Sequence, residues 1–133
     1  MESSGRETIL ADMKKIGVIV NTKRPRAPQV LGELRQLAEK HRFALYAEDA
    51  AMAEALGAER IPVAAFGKKV DVVLALGGDG TVLYTSRALH GSNVPIMGIN
   101  LGSLGFLTSV GDTEIADALD AIANKNCKVS IRL

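Results

Sequence analysis

Tryptophan is absent from this chain, and two tyrosines and three phenylalanines are all the aromatic rings its 133 residues carry. That scarcity argues against stacking along a single-stranded nucleic acid. An excess of one charge is lacking as well: 16 basic against 15 acidic residues leave a net charge of +1, with no electrostatic case for nucleic acid or an anionic membrane. A single cysteine, Cys127, excludes an internal disulfide framework and fits a reducing cytosol. It reads as a small packed residue rather than a reactive thiol. No apolar run approaches membrane-spanning length, and no signal peptide is visible. The expectation is a cytoplasmic protein with neither nucleic-acid nor membrane partners. What is present is 47% hydrophobic residues in a length that makes one domain with a respectable core.

One stretch organises the rest, Val72-Val73-Leu74-Ala75-Leu76-Gly77-Gly78-Asp79-Gly80-Thr81-Val82-Leu83. An unbroken aliphatic run suits a strand buried on both faces of a parallel sheet. The glycines around Asp79 allow a tight turn and a close approach of ligand to backbone. A helix-like pattern follows at once, and helix N-termini favour phosphate. Asp79 is then the one carboxylate held at the end of a central strand.

Around this stretch the chain alternates. Met1 to Asp12 reads as a flexible N-terminal extension, with Met13 an alternative start, and residues 13–126 form the α/β domain. Ile16 to Val20 is a first strand. The basic residues Lys23, Arg24 and Arg26 follow at its carboxyl end, where open α/β sheets bind ligands, and are expected as a solvated loop ahead of an anion contact. Pro28 opens a helix carrying Val30, Leu34, Leu37 and Ala38, with His41 as a partner of its C-terminal dipole. Phe43 to Ala47 is a second strand, and Asp49 caps a short helix that ends at Leu56-Gly57. Pro62 makes Ile61 to Phe66 a loop or edge. Val70 to Leu76 is a strand, Val82 to His90 a helix, and Pro95 to Asn100 a strand. Leu101 to Val110 is a second glycine-punctuated loop, and Asp112 or Thr113 caps a final helix through Ile115, Leu119 and Ile122. This order implies βαβ units and right-handed crossovers. Lys128 to Leu133 alternates like a strand entering another domain.

Two known phosphate-loop patterns are not met in full. A P-loop needs lysine after its last glycine, whereas Thr81 follows Gly80. The dinucleotide fingerprint is met by Gly78 and Gly80 but broken at Leu83, and it belongs on a first strand. A bare turn explains Gly-Gly-Asp-Gly too. The buried strand before it and the helix after it favour phosphate binding.

Gly77-Gly78-Asp79-Gly80-Thr81 resembles the signature shared by NAD kinases, diacylglycerol- and sphingosine-type lipid kinases and 6-phosphofructokinases. The block Gly98-Ile99-Asn100-Leu101-Gly102-Ser103-Leu104-Gly105-Phe106-Leu107 is similar to the second block of NAD kinases, and Lys68-Lys69-Val70-Asp71 precedes the first. The resemblance covers Lys14 to Leu133. It implies a Rossmann-like three-layer parallel sheet, the N-terminal domain of a two-domain enzyme. Residues 127–133 then begin a C-terminal β-rich domain, which in the family carries the Asn-Glu or Asn-Asp motif that holds NAD. The implied activity is phosphorylation of the adenosine 2′-hydroxyl of NAD by ATP, or by polyphosphate in some relatives, to give NADP.

By the same resemblance Asp79 is the general base near the NAD and the Mg²⁺-bound phosphates, and Gly77, Gly78, Gly80 and Thr81 line the site. Phe106 packs near the adenine or closes the second loop as a core aromatic, and Leu83 contributes to that wall. Asn100 caps its loop or touches a ligand, the cap ranking first. Several relatives carry a basic residue where this chain has Tyr84, so a charge contact made there does not carry over. A lipid-kinase half fits the second block poorly, and a non-catalytic nucleotide-binding module is the other class left open. The family implies a homo-oligomer for the full-length protein and an incomplete enzyme for this stretch alone.

Overall fold

The computed structural model describes residues 14–102, 110–111 and 114–124. Strand β1 (Lys15–Val20) buries Ile16 and Val18. Helix α1 (Ala27–His41) takes Pro28 in its first turn, where a missing N–H leaves no helical bond unmade, and buries Val30, Leu34 and Ala38 along one face. It stops at Arg42, which is left-handed at φ 61°. Strand β2 (Ala44–Ala47) leads to α2 (Ala50–Leu56). There the Asp49 carboxylate accepts a hydrogen bond from the Met52 N–H at 3.0 Å, and Gly57 ends the helix at φ 66°.

Ile61 to Phe66 departs from expectation. The edge strand β3 (Glu59–Arg60) comes just before it, and Pro62 starts a 3₁₀ turn (Val63–Ala65) that runs into α3 (Phe66–Lys69). The cause is Phe66, whose ring is fully buried. Its place exists because position 17 is glycine: a Cβ there would lie 2.8 Å from the ring.

The central run makes β4 (Val72–Gly77), buried along its whole length. Helix α4 (Asp79–Ala88) begins three residues before the expected Val82, because the Gly78 carbonyl already accepts from the N–H groups of Thr81 and Val82. Strand β5 (Ile96–Asn100) and a short β6 (Val110–Gly111), in what was expected to be loop, precede α5 (Ile115–Ala123). The N-cap of α5 is Glu114, with no side-chain cap bond, in place of the expected Asp112 or Thr113. Those two residues, the 1–12 extension, Phe106, Cys127 and the strand-like tail lie outside the described residues.

The strands form one parallel sheet in the order β3-β2-β1-β4-β5-β6. Alternate β4 side chains face opposite layers. Val72, Leu74 and Leu76 join Val30, Leu34, Ile115 and Leu119 under α1, α2 and α5. Val73 and Ala75 meet Phe66, Val82 and Leu89 under α3 and α4. The result is the expected three-layer α/β fold. His41 does more than end α1: its Nε2 lies 2.8 Å from the Asp120 carboxylate and ties α1 to α5. Asp71 accepts hydrogen bonds from the N–H groups of Lys14 and Lys15, both at 2.9 Å, and fixes the amino end of β1 against β4. Among the described residues no helix is long and apolar enough to cross a membrane.

Candidate functional site

The sheet order sets the place of the site. The chain winds outward from β1 to β3, then returns to the other side of β1 at β4, so β1 and β4 flank the switch point. Crevices at the carboxyl ends of strands, at such points, are where open α/β sheets bind ligands. Register brings the neighbouring strand ends level, with Val20 opposite Leu76 and Gly77 opposite Asn100. Two backbone bonds lock the loops together there: Asn21 N–H to Leu76 O at 2.8 Å, and Leu101 N–H to Gly77 O at 2.9 Å.

Within the central loop the glycines differ. Gly77 is buried, and a Cβ on it would overlap Thr81 Oγ1 and lie 2.9 Å from Thr81 Cβ and 3.1 Å from Asn21 Cβ. Gly78 is extended and caps α4 with its carbonyl. Asp79 occupies the first turn of α4, half-buried, where the helix dipole favours its negative charge. Gly80 is exposed, with open space where a Cβ would be. Thr85, one turn beyond Thr81, is fully buried and satisfied by donating to the Thr81 carbonyl at 2.7 Å.

A cleft of ≈ 350 Å³ opens here, lined by Ile19, Val20, Asn21, Arg24, Gly78, Gly80, Thr81 and Tyr84. Its volume is at the low end of the range for small-molecule sites, about 300–1,000 Å³. A second cavity of ≈ 300 Å³ lies around α1 and β2, between Arg35, Glu39, Phe43 and Tyr46, and contains none of the loop residues.

The expected site residues thus separate. Gly77, Gly78, Asp79, Gly80 and Thr81 come together at the switch point, and Asn100 stands beside Gly77. Asn100 forms the cap ranked first for it: its side-chain oxygen accepts from the Gly102 N–H at 2.8 Å. Leu83 lies on α4, 38% exposed and outside the cleft lining, whereas its neighbour Tyr84 is 53% exposed and lines it. Phe106 lies outside the described residues. Sequence reasoning gave Asn21 no role, and for Arg24 it ranked a solvated loop ahead of an anion contact. Asn21 accepts from the Lys23 N–H at 3.1 Å, which turns the loop so that Arg24 enters the cleft. The signal was present, since a basic cluster stood at the carboxyl end of the first strand. Lys23 and Arg26 are exposed as a solvated loop requires, but Arg24 is half-buried.

Comparison with known proteins adds an independent line. The family described as ATP-NAD kinase N-terminal domain matches residues 16–127. The NAD kinase of Geobacter metallireducens is 39% identical over 121 residues, which cover 91% of this chain and 42% of that protein. The NAD kinase of Methanopyrus kandleri is 34% identical over 111 residues, covering 81% of this chain and 38% of its own. In fold, the chain is similar to yeast NADH kinase, whose structure was solved in complex with NADH. The TM-score is 0.74 at 16% identity, over 86% of this chain and 39% of the yeast one. The chain therefore spans about two-fifths of the length of these relatives. None of these matches favours a lipid kinase.

Proposed function

The chain belongs to the NAD kinase family, as an ATP-NAD kinase N-terminal domain, and from that premise we propose that it supplies one half of a site phosphorylating the adenosine 2′-hydroxyl of NAD with ATP to give NADP. Residues 13–126 are the domain that carries the loop, and a C-terminal β-rich domain beginning at 127–133 supplies the other wall. The observation that carries this reading is the placement of Gly77 to Thr81 at the switch point, with one carboxylate in the first turn of α4. The small, open cleft supports it, because a dinucleotide and a nucleotide triphosphate together need more enclosure than ≈ 350 Å³.

Phosphoryl transfer through a loose transition state depends mainly on positioning and charge neutralisation. In this reading Asp79 accepts the proton of the 2′-hydroxyl, or orients that hydroxyl for attack. Gly78 and Gly80 keep side chains out of the phosphates' path, while Thr81 and Tyr84 wall the cleft. Mg²⁺ fits the donor set as a phosphate-bound ion with Asp79 as its nearby carboxylate. The described residues bring together no cluster of three or more His, Cys, Asp or Glu able to hold a metal alone, and Mg²⁺ ordinarily takes one or two carboxylates plus substrate phosphates. Such an ion neutralises charge on the transferring group.

The test is NADP formation from NAD and ATP with Mg²⁺. The full-length protein is expected to form NADP, and the 133-residue chain alone is expected to form none. NADP formation by the isolated chain would refute the half-site reading. A full-length protein inactive on NAD with both ATP and polyphosphate would refute the function.

A further inference from the structure

Arg24 belongs to neither glycine block, yet both blocks make room for it. A Cβ added to Gly78 would lie 2.8 Å from Arg24 Nη2, and one added to Gly102 would lie 2.6 Å from Arg24 Nη1. Real Cβ atoms essentially never come so close to another heavy atom. The two ends of one guanidinium therefore occupy spaces that exist because positions 78 and 102 lack side chains. The loop after β1 delivers the arginine. Asn21 accepts from the Lys23 N–H, the Arg24 N–H donates to the Asn21 carbonyl at 3.2 Å, and the Arg24 carbonyl accepts from the Ala27 N–H at 3.0 Å, at the start of α1. Backbone bonds thus fix both sides of its Cα.

The side chain is half-buried, and among the described residues none hydrogen-bonds or ion-pairs with it. A partly desolvated cation that no described side chain hydrogen-bonds or ion-pairs is unfavourable unless an anion completes it. A guanidinium presents a rigid fork of donors that matches phosphate oxygens two at a time, as a lysine ammonium does not. The fork also forms part of the cleft lining, with Gly78, Gly80, Thr81 and Tyr84.

We infer that Arg24 is a phosphate-binding residue that clamps the condensed phosphate chain of a nucleotide ligand between the loops after β1, β4 and β5. The inference rests on the reading of this cleft as a nucleotide phosphotransfer half-site, and it names the group that meets the phosphates. It also changes the role of two glycines: Gly78 and Gly102 seat the arginine, and the arginine meets the ligand.

The experiment titrates the 133-residue chain at low salt with inorganic tripolyphosphate, ADP and NAD, following backbone amide shifts by NMR. Wild type is compared with Arg24→Ala, Arg24→Lys and Lys23→Ala, the last removing an exposed cation of the same loop. Tripolyphosphate binding is expected to weaken about tenfold or more in Arg24→Ala. Arg24→Lys, which keeps the charge and loses the fork, should weaken it by several-fold, and Lys23→Ala by less than twofold. If ADP follows tripolyphosphate and NAD does not, the clamped chain is the donor's; the reverse assigns it to the acceptor's pyrophosphate. Amide shifts of unliganded Arg24→Ala confined to the cleft loops exclude misfolding. Equal weakening by Arg24→Ala and Lys23→Ala overturns the inference, as does a wild-type chain that binds none of the three. The outcomes separate from the family activity. Tripolyphosphate binding that depends on Arg24, in a protein whose full-length form makes no NADP, keeps the clamp and loses the proposed function. NADP formation with unchanged KM values in full-length Arg24→Ala does the opposite.

Discussion

Gly77 ends β4 and Gly80 lies in the first turn of α4, and replacing each by alanine tests how tightly the junction between them is built. At Gly77 the added methyl overlaps Thr81 Oγ1, and its carbon lies 2.9 Å from Thr81 Cβ and 3.1 Å from Asn21 Cβ. Rotating Thr81 about χ1 moves the hydroxyl and leaves the Cβ where it is. Relief therefore requires a shift of backbone, either in the first turn of α4 or in the loop after β1. Overpacking of this kind costs about 1–3 kcal/mol. At Gly80 nothing lies within 4 Å and the residue sits in the helix, so alanine is expected to add about 0.5–1 kcal/mol of stability through its better helix propensity. The two variants should then differ by about 1.5–4 kcal/mol, with Gly77→Ala the weaker. At this chain length each kcal/mol moves Tm by roughly 3–6 °C. Thermal and urea unfolding of the 133-residue chain, followed by far-UV circular dichroism, reads the difference. Gly77→Ala within about 0.5 kcal/mol of wild type, or Gly80→Ala as unstable as Gly77→Ala, would refute the close packing of Gly77 on Thr81 and Asn21.

Three further outcomes follow from particular contacts. Asp49→Ala removes the side-chain acceptor of the Met52 N–H and should cost about 1 kcal/mol in the same unfolding assay, with Asp49→Ser recovering most of it. Leu74→Ala empties a fully buried position in the larger core and should cost about 2–5 kcal/mol, against a negligible change for alanine at the exposed Lys23. Gly102→Ala meets only the flexible end of Arg24, so stability should hold within about 0.5 kcal/mol while tripolyphosphate affinity falls. A loss of stability without loss of affinity would show that Gly102 serves the fold.

Legibility from sequence followed the physics of each signal. Burial on both faces made β4 readable, and local capping chemistry made α2 readable from Asp49 to Gly57, because both signals lie within a few residues. Strand β3 was not readable: Glu59 and Arg60 are exposed at the sheet edge and carry no apolar pattern. Helix α3 was missed because the residue that demands it, Phe66, answers to Gly17, nearly fifty positions earlier. The pair of His41 with Asp120 spans 79 positions and leaves no mark on either neighbourhood. At the site, the central loop was legible as a motif. Arg24 looked like one of three solvated charges, because only the fold reveals that Gly78 and Gly102 leave a seat for it.

In the proposed function phosphoryl transfer takes place at the junction of β4 and α4, with Asp79 at the reacting hydroxyl. Steady-state NADP formation by full-length wild type and Asp79→Asn tests it most directly. The substitution keeps size and polarity while removing the proton acceptor, so kcat should fall by about a hundredfold or more, with KM for NAD changed far less. An Asp79→Asn protein that turns over at the wild-type rate would contradict it.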